Sequence, residues 1–268
     1  MIPKVIHYCW FGRGQKSELI KKCMESWARI LPEYELKEWN EEAFDVNSVP
    51  FVKEAYEHRK WAYVSDYVRL YALYHEGGIY MDTDVEVLRS IDRFLSEVAF
   101  TGYESSGSAL TGIMASEKHG KWVGDLLKDY DGRHIVTYDG QLDLTPNTVH
   151  ADKVMKAHGM RLDKTDENVP AYVHLYPSEY FCPKTFDTDM IEITKNTYCI
   201  HHFAGSWLTL QGRVCRWFSV RGKLKIGYYV AYFCRRPDIV LFDIIDFIRF
   251  RVLHLKGRPF LAINAKNK

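Results

Sequence analysis

Residues 61–87, WAYVSDYVRLYALYHEGGIYMDTDVEV, allow few folds. Val64, Val68, Tyr71 and Ala72 recur at helical spacing, which predicts a helix over 62–75 with one apolar face, begun at Ser65 or in the segment before Trp61. Asp66 and Arg69 stand three apart and share a different face. Gly77 supplies the left-handed backbone that ends a helix, and Gly78 permits a tight return. Residues 79–81 are apolar and too few for a second helix, so they read as a short buried strand.

That strand runs into Asp82-Thr83-Asp84. Side chains two apart on extended chain share a side, and carboxylates so close repel unless a cation lies between them. Oxygen ligands suit Mg2+ or Mn2+, ions that keep positions open for water or for substrate phosphate. A bare D-x-D is more often a pair of solvated loop acids. Here it falls at the carboxyl end of a buried strand, where open α/β sheets bind ligands.

The flanking chain continues the alternation of strand and helix that a sheet covered on both sides requires. Residues 2–10 (IPKVIHYCW) are β-branched and aromatic and give a first strand. The Gly-x-Gly loop at 12–14 lacks the third glycine of a dinucleotide fingerprint and the Lys-Ser/Thr of a phosphate loop. A helix over 17–31 stops at Pro32, 35–39 is a second strand, 40–43 a polar turn into a short helix, and 50–61 leads into the helix already described. After the aspartates come extended chain at 85–88, a short helix at 90–95, strands at 98–103 and 109–115, and a helix at 122–130. The polar loop 104–108 either lines an acceptor site or is mobile surface. Thr145-Pro146-Asn147-Thr148 precedes a helix over 149–158, with Asn147 or Thr148 as its cap. Residues 172–180 are strand then turn. Asp187 and Asp189 repeat the D-x-D spacing without a buried strand before them and read as surface charge.

A last strand at 197–200 delivers His201-His202-Phe203-Ala204-Gly205-Ser206-Trp207. Neutral imidazole ligates Mn2+ and neighbouring metals, and adjacent residues on extended chain face opposite sides, so one of the two histidines faces the metal. Beyond Gly212 the chain turns basic and aromatic, with eleven Arg and Lys from Arg213 to Arg258 against Asp238, Asp243 and Asp246. Its apolar run at 226–234 is shorter than the roughly 20 residues that span a bilayer. This tail either docks on the domain, pairs with another chain, or lies on an anionic membrane surface.

Taken together, Ser65-Asp66-x-x-Arg69, Gly77-Gly78-Ile79-Tyr80, Asp82-x-Asp84, the opening I-P-K-x-I-H-x-x-W and the H-H-x-x-x-S-W element resemble glycosyltransferase family 32, the DXD sugar-binding group. More distantly they are similar to family 8 and to the clostridial glucosylating toxins. The resemblance implies a GT-A-type α/β fold with a mainly parallel sheet flanked by helices, here over 1–211, followed by a basic aromatic helical extension over 212–268. It implies a retaining, metal-dependent transfer of a hexose from a nucleoside-diphosphate sugar, with a UDP-hexose favoured, to a saccharide or lipid-linked saccharide acceptor in surface polysaccharide synthesis. By resemblance Trp10 stacks on the base, Asp66 and Arg69 lie beside the donor, and Asp82 reaches the ribose and the metal. Asn147 and Thr148 lie near the donor sugar, and Ser206 and Trp207 close on the diphosphate. Asp84 and His202 ligate Mn2+ or Mg2+, with His201 as the reserve.

Three other readings compete. A yeast-type relative would use GDP-mannose. An aspartyl-nucleophile phosphatase also begins with D-x-D after an apolar strand, there with Asp82 as nucleophile, although that motif usually sits on the first strand. A non-catalytic sugar- or lipid-binding partner of a synthetic complex would leave the metal site vestigial. The formal net charge of +1 argues against a nucleic-acid binder. The six cysteines are scattered without a C-x-x-C pair, which reads as reduced thiols, and the amino end shows no secretory pattern; both point to the cytoplasm, with the tail at the inner membrane face.

Overall fold

The structure, a computed structural model, describes residues 1–205 together with Leu208, Arg216, Trp217 and Val220. Ser206, Trp207 and nearly all of the extension expected over 212–268 lie outside the described residues. The chain divides into two units, Met1–Trp207 and Leu208–Lys268, and the first holds the elements that follow.

Strand β1 (Val5–Cys9) leads to helix α1 (Glu18–Ile30), whose cap Ser17 accepts the Ile20 amide, and β2 (Glu35–Trp39) returns parallel to β1. The short helix expected after 40–43 does not form. Asn40 Oδ1 instead accepts the amides of Glu42 and Ala43, closing a turn that competes with helix. Helix α2 (Pro50–Glu57) starts at Pro50, whose missing N–H costs nothing in a first turn. Helix α3 (Trp61–Glu76) ends at Gly77 with φ +73°, and Gly78 at φ +109° opens β3 (Gly78–Met81). A side chain on Gly78 would put its Cβ 2.8 Å from the Val5 carbonyl oxygen, so the return into the sheet needs glycine twice over.

After β3 come β4 (Val85–Val87), a 3₁₀ turn Asp92–Phe94, β5 (Ala99–Gly102), β6 (Ile113–Ser116), α4 (Lys121–Lys128), α5 (Asn147–Ala157), β7 (Glu167–Val169), β8 (Val173–Tyr176), α6 (Ser178–Phe181) and β9 (Cys199–His201). Seven strands form one sheet in the order β2-β1-β3-β6-β5-β8-β7. All run the same way except β6 and β7, which oppose their neighbours. The expected mainly parallel α/β sheet is present, and β4 pairs with β9 in a separate antiparallel ribbon.

Alternation along the strands divides the core into two layers. Ile79 and Met81 of β3 and Ile113 and Ala115 of β6 face Trp27 of α1, Phe181 of α6 and Cys199 of β9, while Tyr80 and Met114 face Val64 and Val68 of α3 and Trp122 of α4. Each large apolar side chain buried in this way contributes about 1.5–3 kcal/mol. Four hydrogen bonds then fix the elements nearest the aspartates. Buried His7 accepts Trp39 Nε1–H at Nδ1 (3.1 Å) and donates Nε2–H to the Gly77 carbonyl (2.8 Å), tying β1 and β2 to the turn before β3. Burial pushes the His7 imidazole below its usual range, in keeping with that neutral tautomer. On the other face, Trp27 Nε1–H donates to the Val85 carbonyl (2.7 Å) and Ser26 Oγ accepts the Val87 amide (2.9 Å), so α1 braces β4 directly after Asp84.

Among the described residues no helix is long and apolar enough to cross a membrane. Cys9, Cys23, Cys182 and Cys199 are free and buried.

Candidate active site

Asp82 leaves the end of β3, and the Val85 amide bonds back to its carbonyl (3.0 Å), turning the chain so that Asp84 enters β4. In the ribbon Val85 pairs with His201, and the His202 amide donates to the Asp84 carbonyl (3.0 Å). This register brings Asp82, Asp84 and His201 together, with one ligand atom from each within 4.8 Å of the others. His201 Nε2 lies 3.4 Å from Asp84 Oδ1 and 3.8 Å from Asp82 Oδ2, longer than a good N–H···O bond.

The preference for His202 over His201 as the third member is thus reversed. His202 Nε2 bonds to Glu86 Oε2 at 2.8 Å, on the other side of the ribbon. One histidine does face the aspartates, as alternation requires, but the strand runs one residue further than 197–200 and places His201 there.

The three groups fit a divalent cation. Two carboxylates and one imidazole converge across a gap, and the Gly112 backbone lies against it: a Cβ there would stand 3.1 Å from His201 Cε1 and Nδ1 and 3.2 Å from Asp82 Oδ2. The far nitrogen of His201, Nδ1, is buried and makes no hydrogen bond of normal geometry, although the Cys182 thiol beside the ring interacts with it electrostatically. The electrostatics favour a cation between the acids. Burial opposes charge on Asp84, yet His201 and the Ala204 amide, 2.6 Å from Oδ2, hold its carboxyl down at about 2. Burial likewise works against a charged His201, but Asp84 raises the imidazole well above its usual range.

Asp66 and Arg69 are both buried. Arg69 Nη2 lies 2.8 Å from Asp66 Oδ1 and 3.4 Å from Asp82 Oδ1, and Nη1 donates to the Thr111 carbonyl (2.6 Å). The guanidinium also stacks over Tyr80, 4.6 Å from the ring centre, and Tyr80 O–H donates to Asp82 Oδ1 (2.8 Å). Burial pushes the Asp66 carboxyl up to about 7 against the pull of Arg69.

Asn147 is not the cap of α5. Pro146 precedes the helix, and Asn147 Nδ2–H donates to Asp66 Oδ1 (2.7 Å) while its Oδ1 accepts Thr111 O–H (3.1 Å). Thr148 is half-buried in the same first turn. Trp10 follows β1, its Nε1–H donating to the Gly14 carbonyl (2.7 Å) with Lys16 Nζ 5.0 Å from its ring centre. The structure therefore joins Asp66, Arg69, Asp82, Asp84, Asn147 and His201 through contacts. Gly112 and Thr111 join them without having been anticipated; a Thr-Gly before an apolar run is too common to mark a site. Glu104, from the polar loop after β5, is pushed up by burial and feels the charges of His201 and Asp82.

Asp82 follows the carboxyl end of β3, the place where open α/β sheets bind ligands. Residues 17–101 match the family described as glycosyltransferase sugar-binding region containing DXD motif. Asp66, Arg69, Asp82 and Asp84 lie inside the matched span, and His201 lies beyond it. The chain is similar to inositol phosphoceramide mannosyltransferase 3 of Schizosaccharomyces pombe, 29% identical over 124 residues, which is 44% of this chain and 34% of that protein. It thus spans about a third of the length of that curated relative. Similar solved structures include the PaToxG glycosyltransferase (19% identity, 61% of this chain and 75% of that one, TM-score 0.41). Another is a glycosyltransferase involved in the glycosylation of the major capsid of PBCV-1 (13% identity, 82% and 99%, TM-score 0.43).

Proposed function

We propose that this protein is a GT-A-type, retaining glycosyltransferase that moves a hexose from a nucleoside-diphosphate sugar to a saccharide or lipid-linked saccharide acceptor. The observation that carries this reading is the convergence of Asp82, Asp84 and His201 within a DXD sugar-binding region. Asp84 and His201, with Asp82, hold Mn2+ or Mg2+, which when bound offsets charge on the diphosphate and on the departing oxygen. Arg69 acts through Asp82: its guanidinium and the Tyr80 hydroxyl fix one carboxylate oxygen, leaving Oδ2 towards His201. Asp66, oriented by Arg69 and Asn147, faces the donor sugar, with Thr148 beside it. Trp10 offers a platform for the base, Ser206 and Trp207 close on the diphosphate, and the loop bearing Glu104 lines the acceptor side. The catalytic domain spans 1–211, and the basic extension over 212–268 holds the enzyme at the cytoplasmic face of an anionic membrane during surface polysaccharide synthesis.

UDP-hexose is the favoured donor. A second reading, GDP-mannose, is supported by the name of the curated relative, a mannosyltransferase. Hydrolysis and transfer across a panel of UDP- and GDP-sugars with Mn2+ decides between them. Turnover of a single donor names the sugar, whereas failure of every nucleotide-sugar to bind, with or without metal, overturns the proposal.

Two expectations follow from the cluster itself. In the metal-free protein a proton on His201 occupies the gap, and a metal must displace it. Apparent Mn2+ affinity should therefore rise about tenfold per pH unit below the His201 pKa and flatten above it, with release of about one proton. Calorimetry in buffers of different ionisation enthalpy reads this directly, and a pH-independent affinity would contradict it. Gly112→Ala should leave the fold intact yet weaken Mn2+ binding about tenfold, because Asp82 and His201 must each give by tenths of an ångström. Unchanged Mn2+ affinity in that variant would show that the Gly112 backbone does not border the metal.

A further inference from the structure

We propose that Lys184 positions His201 for the metal, an inference that rests on reading Asp82, Asp84 and His201 as the metal site. Lys184 lies just beyond α6, and its side chain is only 12% exposed. Its Nζ donates to the His202 carbonyl at 2.9 Å and pairs with Asp189 Oδ1 at 3.0 Å. A lysine so enclosed gives up hydration and rotamer freedom, so its place reflects a demand at the other end of the contact.

That demand is local. Phe203 has φ +55°, a left-handed conformation that a bulky residue adopts only when its surroundings enforce it. The kink carries the chain out of the ribbon immediately after the two histidines, so the His202 carbonyl leaves the β4 ladder and turns to Lys184. The segment bearing Lys184 also braces the kink through Phe186, whose ring meets Phe203 edge-on at 5.3 Å. Phe203 in turn packs on His201 with ring centres 4.3 Å apart. Lys184 and Asp189 are fixed to each other by a small hairpin, with Lys184 bridged to Ile191, the Thr185 amide on the Met190 carbonyl, and the Asp189 amide on the Thr185 carbonyl. Asp189, which reads in the sequence as plain surface charge, anchors the lysine instead. A cation on the backbone and a ring on the imidazole together hold His201 at the angle that faces Asp84. Such outer contacts to a ligating histidine are typically worth 10–100-fold in metal affinity.

The test is Mn2+ binding by the chelator-treated full chain, followed by the electron paramagnetic resonance of free Mn2+. Lys184→Met should bind Mn2+ 10–100-fold more weakly. Lys184→Arg, which still reaches both oxygens, should recover to within a few-fold of wild type, a rescue that general loosening of the loop would not give. Should Lys184→Met fail to fold, Lys184→Gln, an N–H donor without charge, takes its place and should fall several-fold. Wild-type affinity in a folded Met or Gln variant overturns the proposal. So does loss of metal-free UDP binding with Mn2+ affinity intact, because Lys184 would then be a phosphate ligand. Absence of Mn2+ binding by the wild type itself would sink the metal-site reading instead, which keeps the two failures distinct.

Discussion

Asp84→Asn should abolish Mn2+ binding in the micromolar range and lower kcat/KM for sugar transfer by a factor on the order of 10³, about 4 kcal/mol of transition-state stabilisation. The substitution keeps the size of the side chain and the oxygen that accepts the Ala204 amide, so the ribbon should persist. What it removes is the charge that holds His201 protonated in the metal-free protein. The pH dependence of stability separates this from simple unfolding. A histidine whose pKa is raised on folding contributes stability that is full below about 6.5 and lost as pH rises through the folded value. The variant lacks that contribution, so its melting temperature should fall below wild type at pH 6 and approach it at high pH. Transfer activity that survives in Asp84→Asn would place the chemistry elsewhere and end the reading of this cluster as the active site.

How much of this was legible in the sequence varied with the kind of information required. The unit α3-turn-β3 could be read closely because helical periodicity, two glycines and a short apolar run are local signals, and the D-x-D followed from its position. The choice of His202 over His201 rested on resemblance, whereas the histidine that stands with the aspartates depends on how β9 meets β4 and thus on contacts 116 residues apart in sequence. Asn147 has the position of a helix cap, and only the approach of α3 turns its amide towards Asp66. Arg69 and Asp66 sit on a helix face that looks exposed in isolation, and burial appears only once β6 and Thr111 close over it. Gly112 and Lys184 carry no sequence signal of their own. Each matters through what its backbone or side chain approaches in space.

Arg69→Met should cost about 3–5 kcal/mol of stability in the metal-free protein, a large part of what a domain of this kind possesses. The methionine fills much of the same space, so the loss is one of charge and not of volume. Arg69 pairs with both Asp66 and Asp82, and its removal leaves two carboxylates near one another without their shared cation. The sign of the pH dependence follows from Asp66, which burial already pushes up to about 7. A carboxyl raised on folding weakens the fold as pH climbs from the unfolded value near 4 to the folded one, since the unfolded chain sheds its proton first. Without Arg69 the folded value climbs further, so the deficit of the variant should widen above pH 7 by up to about 1.4 kcal/mol per pH unit. Adding Asp66→Asn removes the group that suffers most, and the double variant should regain stability at pH 8 that Arg69→Met alone has lost. Urea denaturation at pH 6 and pH 8 across the four proteins of this cycle measures the coupling. Equal costs of Arg69→Met with Asp66 and with asparagine in its place would show that the pair is not coupled. The same guanidinium that lies 3.4 Å from Asp82 also offsets part of the burial cost of a charged Asp66. The arrangement of the two acids and the stability of α3 thus share one residue.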